Sequence, residues 1–322
     1  MRSNARSSRT TSVTSSSPGV AVAPANDPGI ADAIGRGGGL VVPLEDADAI
    51  VWIDPRSPER LKDALARSPA RWVQLPFAGI EAFVTAGVID RERTWTCAKG
   101  VYGHATAEHA LTLILAAARG LNRHLRATTW HDEELAAPER RLIDATILIV
   151  GTGGIGTALA SMVAPLGPRI LGVNRSGEPL LNAERTASIK ELAGLLPEAN
   201  FVVLAAPLTL ETNGLFDEAM LRRMKPGAWL VNVARGGLVM TEALVTVLEE
   251  GRLGGAALDV TDPEPLPDHH PLWTMSNVIV TPHVANTWAM GLRSLTQMVQ
   301  DNVARFAAGE ELAGVVDPDA GY

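Results

Sequence analysis

The chain has a single cysteine, Cys97, among 322 residues. That excludes a disulfide framework and a thiolate metal cage, and it points to a reduced, cytoplasmic setting. Lysine is nearly as scarce: Lys62, Lys99, Lys190 and Lys225 are the only ones, and the formal net charge is −8. A nucleic-acid-binding surface needs clustered Lys and Arg, so that class of partner is excluded. Apolar runs approaching the ~20 residues of a membrane span are missing as well. The opening MRSNARSSRTTSVTSSSPG carries no acidic residue; the first is Asp27. Residues 1–17 bury too little apolar surface to order themselves and are read as a disordered tail. Their Arg and Ser bias resembles a transit peptide, but there are too few apolar residues for an amphipathic helix and there is no secretory apolar segment.

What is present is ordinary for a globular protein: 46% of residues are apolar and 20% charged, over a length that accommodates two domains. Short apolar runs alternate with helical stretches. GVAVA (19–23), LVVPL (40–44), AIVW (49–52) and WVQL (72–75) read as buried strands. Between the last two, Ser57, Pro58 and Glu59 mark a helix start. A long Ala- and Leu-rich helix is expected over about 105–126, nearly apolar all round in its middle and so buried between domains or subunits. A second series follows: TILIVG (146–151), RILGVN (169–174), FVVLAA (201–206), WLVNVA (229–234), GAALDV (255–260) and VIVTP (278–282). Ser188 and Glu191 form a capping box between two of these, and a last helix is expected over about 287–308. The alternation predicts an α/β chain of two doubly wound parallel-sheet (Rossmann-like) domains linked by long helices. Residues 18–103 with 289–322 would form one, of flavodoxin-like type, and 104–288 the other.

The second series opens with a strand running into Gly151-Thr152-Gly153-Gly154-Ile155-Gly156 and then a helix. A glycine pattern of this kind alone says little, but between a strand and a helix it marks a dinucleotide phosphate loop. Gly151 permits the tight turn, Gly153 lets the backbone approach a pyrophosphate, and Gly156 lets helix and strand pack closely. The helix N-terminus supplies unpaired N–H groups for the phosphates. One more absence carries information. The next strand ends at Asn174, 18 residues past Gly156, where NAD-binding domains place an Asp or Glu for the ribose hydroxyls. Here stand Asn174, Arg175 and Ser176. A guanidinium pairs with a 2′-phosphate that a carboxylate would repel, so NADP(H) is favoured, with NAD(H) as the alternative.

Three further residues follow strands of this domain at their C-terminal ends: Arg235 in VNVARGG, Glu264 in DVTDPEPL and His283 in VTPHVANT. Singly they read as a surface arginine, a rigid turn and a structural histidine; together they make an anion-binding and acid–base set. Arg235 can hold a carboxylate or carbonyl oxygen with a fork of donors, His283 can exchange a proton with an alkoxide, and Glu264 can orient its ring. The pair His269-His270 lacks cysteine or spaced acidic partners, so no metal is expected.

These stretches, with APLTLETNGLF, MKPGAWLVNVARGGLV, GGAALDVTDPEPLP and NVIVTPHVANT, resemble the D-isomer-specific 2-hydroxyacid dehydrogenase family almost throughout the second domain. The resemblance implies hydride transfer between NAD(P)H and a small 2-oxo or 2-hydroxy acid, with Arg235, Glu264 and His283 catalytic. It places Asp259 near the nicotinamide, and Ala206, Pro207, Val233 and Ala234 along the cofactor through backbone atoms. In the first domain LPFAGIE resembles the loop holding the substrate carboxylate, centred on Phe77, Ala78 and Gly79, with a core aromatic as the alternative reading of Phe77; GVYGHATAEHALTLIL resembles the linker between domains. Trp130 and Trp288 could wall the substrate pocket, with core packing the favoured reading for each. The Asn-Arg-Ser segment resembles that of NADPH-using glyoxylate/hydroxypyruvate reductases, and the family implies a homodimer. Two alternatives stand beside this: an NAD-dependent phosphoglycerate-type dehydrogenase, for which Arg56 and Arg71 are the available cations, and a non-catalytic dinucleotide sensor.

Overall fold

A computed structural model describes residues 17–130 and 139–318. The expected tail, residues 1–17, lies outside them but for Ser17. The chain divides into two compact units, one running to Cys97 and resuming at Leu295, the other running from Ala98 to Ser294.

In the first unit five parallel strands lie in the order β2-β1-β3-β4-β5: β1 (Gly19–Ala23), β2 (Leu40–Val41), β3 (Ala49–Trp52), β4 (Trp72–Gln74) and β5 (Thr94–Thr96). Helices α1 (Pro28–Arg36), α2 (Pro58–Leu65) and α3 (Glu81–Thr85) connect them. The Asp27 carboxylate caps α1 by accepting from the N–H groups of Gly29 and Ile30. Ser57 does stand at the N-cap of α2, but its side chain makes no capping bond. Residues after Leu295 are tied to this sheet by a buried polar network. The Asn302 amide donates to Gln74 Oε1 (3.0 Å), and Gln74 Oε1 also accepts from the Thr96 hydroxyl (2.8 Å). All three side chains are fully buried, where each needs the other's hydrogen bonds.

In the second unit seven parallel strands lie in the order β12-β11-β10-β9-β6-β7-β8: β6 (Thr146–Val150), β7 (Arg169–Asn174), β8 (Arg185–Ser188), β9 (Phe201–Leu204), β10 (Trp229–Asn232), β11 (Gly255–Leu258) and β12 (Val278–Val280). Among the described residues its helices are α4 (Gly103–Ala118), α5 (Leu121–His124), α6 (Gly154–Val163), α7 (Leu192–Leu195), α8 (Glu218–Arg223) and α9 (Thr241–Glu249), and α10 (Trp288–Ala308) starts in this unit and continues into the first from Leu295 onward. Successive strand residues go to opposite apolar layers. Leu148 and Val150 join one, Ile147 and Ile149 the other, as do Val202 and Leu204 against Phe201 and Val203. A sheet covered on both faces produces just such unbroken apolar runs. From β6 the chain winds one way to β8 and then crosses back to β9 through β12. The switch point falls between β6 and β9, where open parallel sheets bind ligands.

The single helix expected over 105–126 is two. Gly120, in the left-handed region at φ +58°, separates α4 from α5. One side of α4, including Ala107, Ala110, Leu113 and Ile114, packs into the sheet's apolar layer with α6, while Leu115 is exposed. Trp130, expected in the core, is 91% exposed.

Candidate active site

The phosphate loop sits at the switch point. Gly151, at φ +99°, lies so close to the turn after β9 that a Cβ there would come within 2.5 Å of Ala205 and Ala206 backbone atoms. A Cβ on Gly156 would come within 2.1 Å of the Gly151 carbonyl oxygen. Those two glycines are required by the protein's own packing. Gly153 is different: it precedes the first residue of α6, and a Cβ there would meet nothing within 4 Å. Its bareness opens the helix N-terminus outward, which suits a pyrophosphate approaching the N–H groups of the first turn.

β7 ends at Asn174, whose amide builds the following turn. Its Oδ1 accepts from the N–H groups of Ser176 (3.1 Å), Gly177 (2.6 Å) and Glu178 (3.1 Å). Its Nδ2 donates to the Glu178 carbonyl (2.8 Å) and to the Thr152 hydroxyl in the phosphate loop (2.9 Å). Asn174 is thus committed to holding the turn, and Arg175 and Ser176, with Glu178 beyond them, are exposed side chains that the turn presents. Ala206 and Pro207 follow β9, and Val233 and Ala234 follow β10, all at the same edge of the sheet.

Arg235 comes next in the chain, half-buried. Buried Asn232 shapes its approach, accepting from the Ala234 N–H (3.1 Å) and donating to the Arg235 carbonyl (2.9 Å). The Arg235 guanidinium donates to the Ala234 carbonyl at 2.7 Å. Glu264 lies in the loop after β11 and His283 just after β12; the fold brings them together, with Glu264 Oε1 2.7 Å from His283 Nδ1. A carboxylate only accepts, so Nδ1 carries the proton and Nε2 is the nitrogen left for chemistry. Both side chains are about half exposed, which leaves the ring reachable.

Asp259, at the end of β11, is 2% exposed. Burial pushes its carboxyl up, but hydrogen bonds from His109, the Thr281 hydroxyl and the Val284 and Ala285 N–H groups outweigh this and hold it below the usual aspartate range. Neither His109 nor Thr281 stood out in the sequence; the only signal was a histidine and a threonine beside otherwise apolar segments. The residues Phe77, Ala78 and Gly79 belong to the other unit, in the loop after β4, where Phe77 is partly exposed and Ala78 exposed.

Residues 111–285 match the family described as "D-isomer specific 2-hydroxyacid dehydrogenase, NAD binding domain". The chain belongs to that family. It is an NAD(P)-binding oxidoreductase acting on a CH–OH group, with the family's two-domain parallel α/β fold. A D-isomer specific 2-hydroxyacid dehydrogenase from Xanthobacter autotrophicus Py2, solved with NADPH and MES, superposes with a TM-score of 0.82 at 28% identity, covering 95% of this chain and 100% of that one. An NADPH-dependent glyoxylate/hydroxypyruvate reductase from Sinorhizobium meliloti, solved with NADP and sulfate, gives 0.79 at 26% identity, over 95% and 100%. In sequence, the glyoxylate reductase of Thermococcus gammatolerans is 39% identical over 218 residues, 65% of each chain.

Proposed function

We propose that this enzyme reduces a small 2-oxo acid of the glyoxylate or hydroxypyruvate kind to the D-2-hydroxy acid, with NADPH as the preferred donor. The observation that carries the reading is the Glu264–His283 contact at the sheet's C-terminal edge. When bound, the reduced dinucleotide supplies the hydride. The loop Gly151–Gly156 and the first turn of α6 would hold its pyrophosphate, Arg175 and Ser176 its 2′-phosphate, and the backbone at Ala206, Pro207, Val233 and Ala234, with Asp259, its nicotinamide end. Arg235 binds the acid through its guanidinium donors and polarises the carbonyl. His283 Nε2 donates a proton to the carbonyl oxygen as it gains negative charge, while Glu264 keeps Nδ1 protonated and the ring in place. Phe77, Ala78 and Gly79 stay assigned to the substrate carboxylate on resemblance alone. The preference for NADPH is supported by the missing carboxylate at Asn174, the exposed Arg175, and the NADPH and NADP bound to the two structural neighbours. The family's homodimer is part of the same reading; light scattering at a mass near that of a single chain would count against it.

Substituting His283 tests the assignment. In His283→Gln, kcat for glyoxylate reduction should fall by about 10²–10⁴-fold, the usual worth of a positioned general acid. The affinity for NADPH should stay within about twofold. Undiminished turnover would remove His283 from the chemistry.

A further inference from the structure

We propose that His109 is a positioning residue for His283, acting through the Thr281 hydroxyl and the Asp259 carboxylate. The inference rests on the reading of His283 as the proton donor. His283 occupies the left-handed region at φ +52°, a conformation that its β-carbon disfavours and that surrounding bonds must impose. Apart from a second contact of the His283 N–H, to the Thr281 carbonyl (3.0 Å), those bonds converge on Asp259. The Asp259 carbonyl accepts the His283 N–H at 2.8 Å, and its carboxylate accepts the next two, Val284 N–H at Oδ1 (2.9 Å) and Ala285 N–H at Oδ2 (3.0 Å). One residue thus grips three consecutive amides, and the strained turn is the segment they span.

What holds Asp259 in place comes from elsewhere in the chain. The Thr281 hydroxyl lies 2.6 Å from Asp259 Oδ1, and His109 Nε2 lies 3.0 Å from that hydroxyl and 3.3 Å from Oδ1. The direction of these bonds follows from the groups themselves. The carboxylate only accepts, so Thr281 gives its one proton to Asp259 and must accept from His109. That makes Nε2 the protonated nitrogen of His109. The imidazole is carried on α4, whose neighbouring residues Ala107 and Ala110 are fixed in the core, so the donor comes from a rigid element. Without it the Thr281 oxygen loses its donor, the hydroxyl is free to rotate off Asp259, and the grip on residues 283–285 slackens. His109 is not placed to touch substrate through this contact; its effect reaches the reaction only through the turn.

The test compares His109→Phe, which removes the donor, with His109→Gln, whose amide can restore an N–H near the position of Nε2. Thr281→Val, of nearly the same shape, removes the hydroxyl independently. Amide exchange by NMR reads the turn directly, with Leu148 in β6 as an internal reference. Exchange at Val284 and Ala285 should rise at least tenfold in His109→Phe and Thr281→Val, stay within twofold of the parent in His109→Gln, and leave Leu148 unmoved. In His109→Phe and Thr281→Val kcat should fall at least fivefold with the NADPH dissociation constant within twofold, while His109→Gln keeps both near the parent values. Exchange at 284–285 within twofold of the parent in both donor-less variants, or a His109→Gln that behaves like His109→Phe, would overturn the proposal. The His283→Gln control separates this from the reading beneath it. If that variant keeps its turnover the proton-donor assignment fails, while the exchange rates still decide whether His109 holds the turn.

Discussion

At the scale of single residues, the turn after β7 shows why an asparagine suits its place. An aspartate at 174 could accept the same three N–H bonds, but it would bring a negative charge to the turn and could not donate to Thr152 or to the Glu178 carbonyl. Asn174 builds the turn without charge and ties it to the phosphate loop. Arg175 is then the cation that the turn displays. A hydrogen bond to a charged group is worth about 1.5–3 kcal/mol, so Arg175→Ala should lower kcat/KM for NADPH by roughly 10–100-fold. NADH should be affected about twofold or less, because it has no 2′-phosphate to lose. Equal losses with both cofactors in steady-state kinetics would show that Arg175 does not read that phosphate.

At the scale of elements, the ends of β11 and β12 are joined by Asp259, and its ionisation is linked to stability. Its carboxyl is held below the ~3.9 of an unfolded chain. The contribution is therefore complete above that value and is lost as pH falls through the lower folded value. Asp259→Asn leaves donors facing a group that no longer accepts them all, at about 1–3 kcal/mol for each orphaned bond. Denaturant melts should show this deficit in full at pH 7, narrowing as the pH is taken from 5 to 3. A gap of constant size across that range would mean that Asp259 is not the group titrating. The same elements show what could be read in advance. Strands β6, β7, β9, β10 and β11 were legible because both faces of the sheet are covered there, which leaves continuous apolar runs; β12, at the sheet's edge, was legible because it is apolar throughout (Val-Ile-Val). The edge strands β5 (Thr-Trp-Thr) and β8 (Arg-Thr-Ala-Ser) were not, since an edge tolerates polar residues. Gly120 was visible, yet the apolar periodicity around it hid the break between α4 and α5. His109 and Thr281 stand 172 positions apart and meet only through folding, so no local pattern announces their contact.

At the scale of the whole molecule, the residues singled out for chemistry share one property: each follows a parallel strand at its C-terminal end. The phosphate loop follows β6, the Arg175 turn β7, Pro207 β9, Arg235 β10, Asp259 β11 and His283 β12. A parallel sheet places all those ends along one edge, so residues scattered over more than 130 positions come to a common border. The family membership fixes the class of reaction; the NADPH preference proposed from the turn after β7, and the proton donor proposed from the Glu264–His283 contact, are what remain to be tested. The most direct measurement is the initial rate of NADPH and NADH oxidation with glyoxylate and with hydroxypyruvate, taken side by side. Turnover of at least one acid with clear preference for NADPH is the predicted result. Turnover that prefers NADH, or none with either acid, would contradict it.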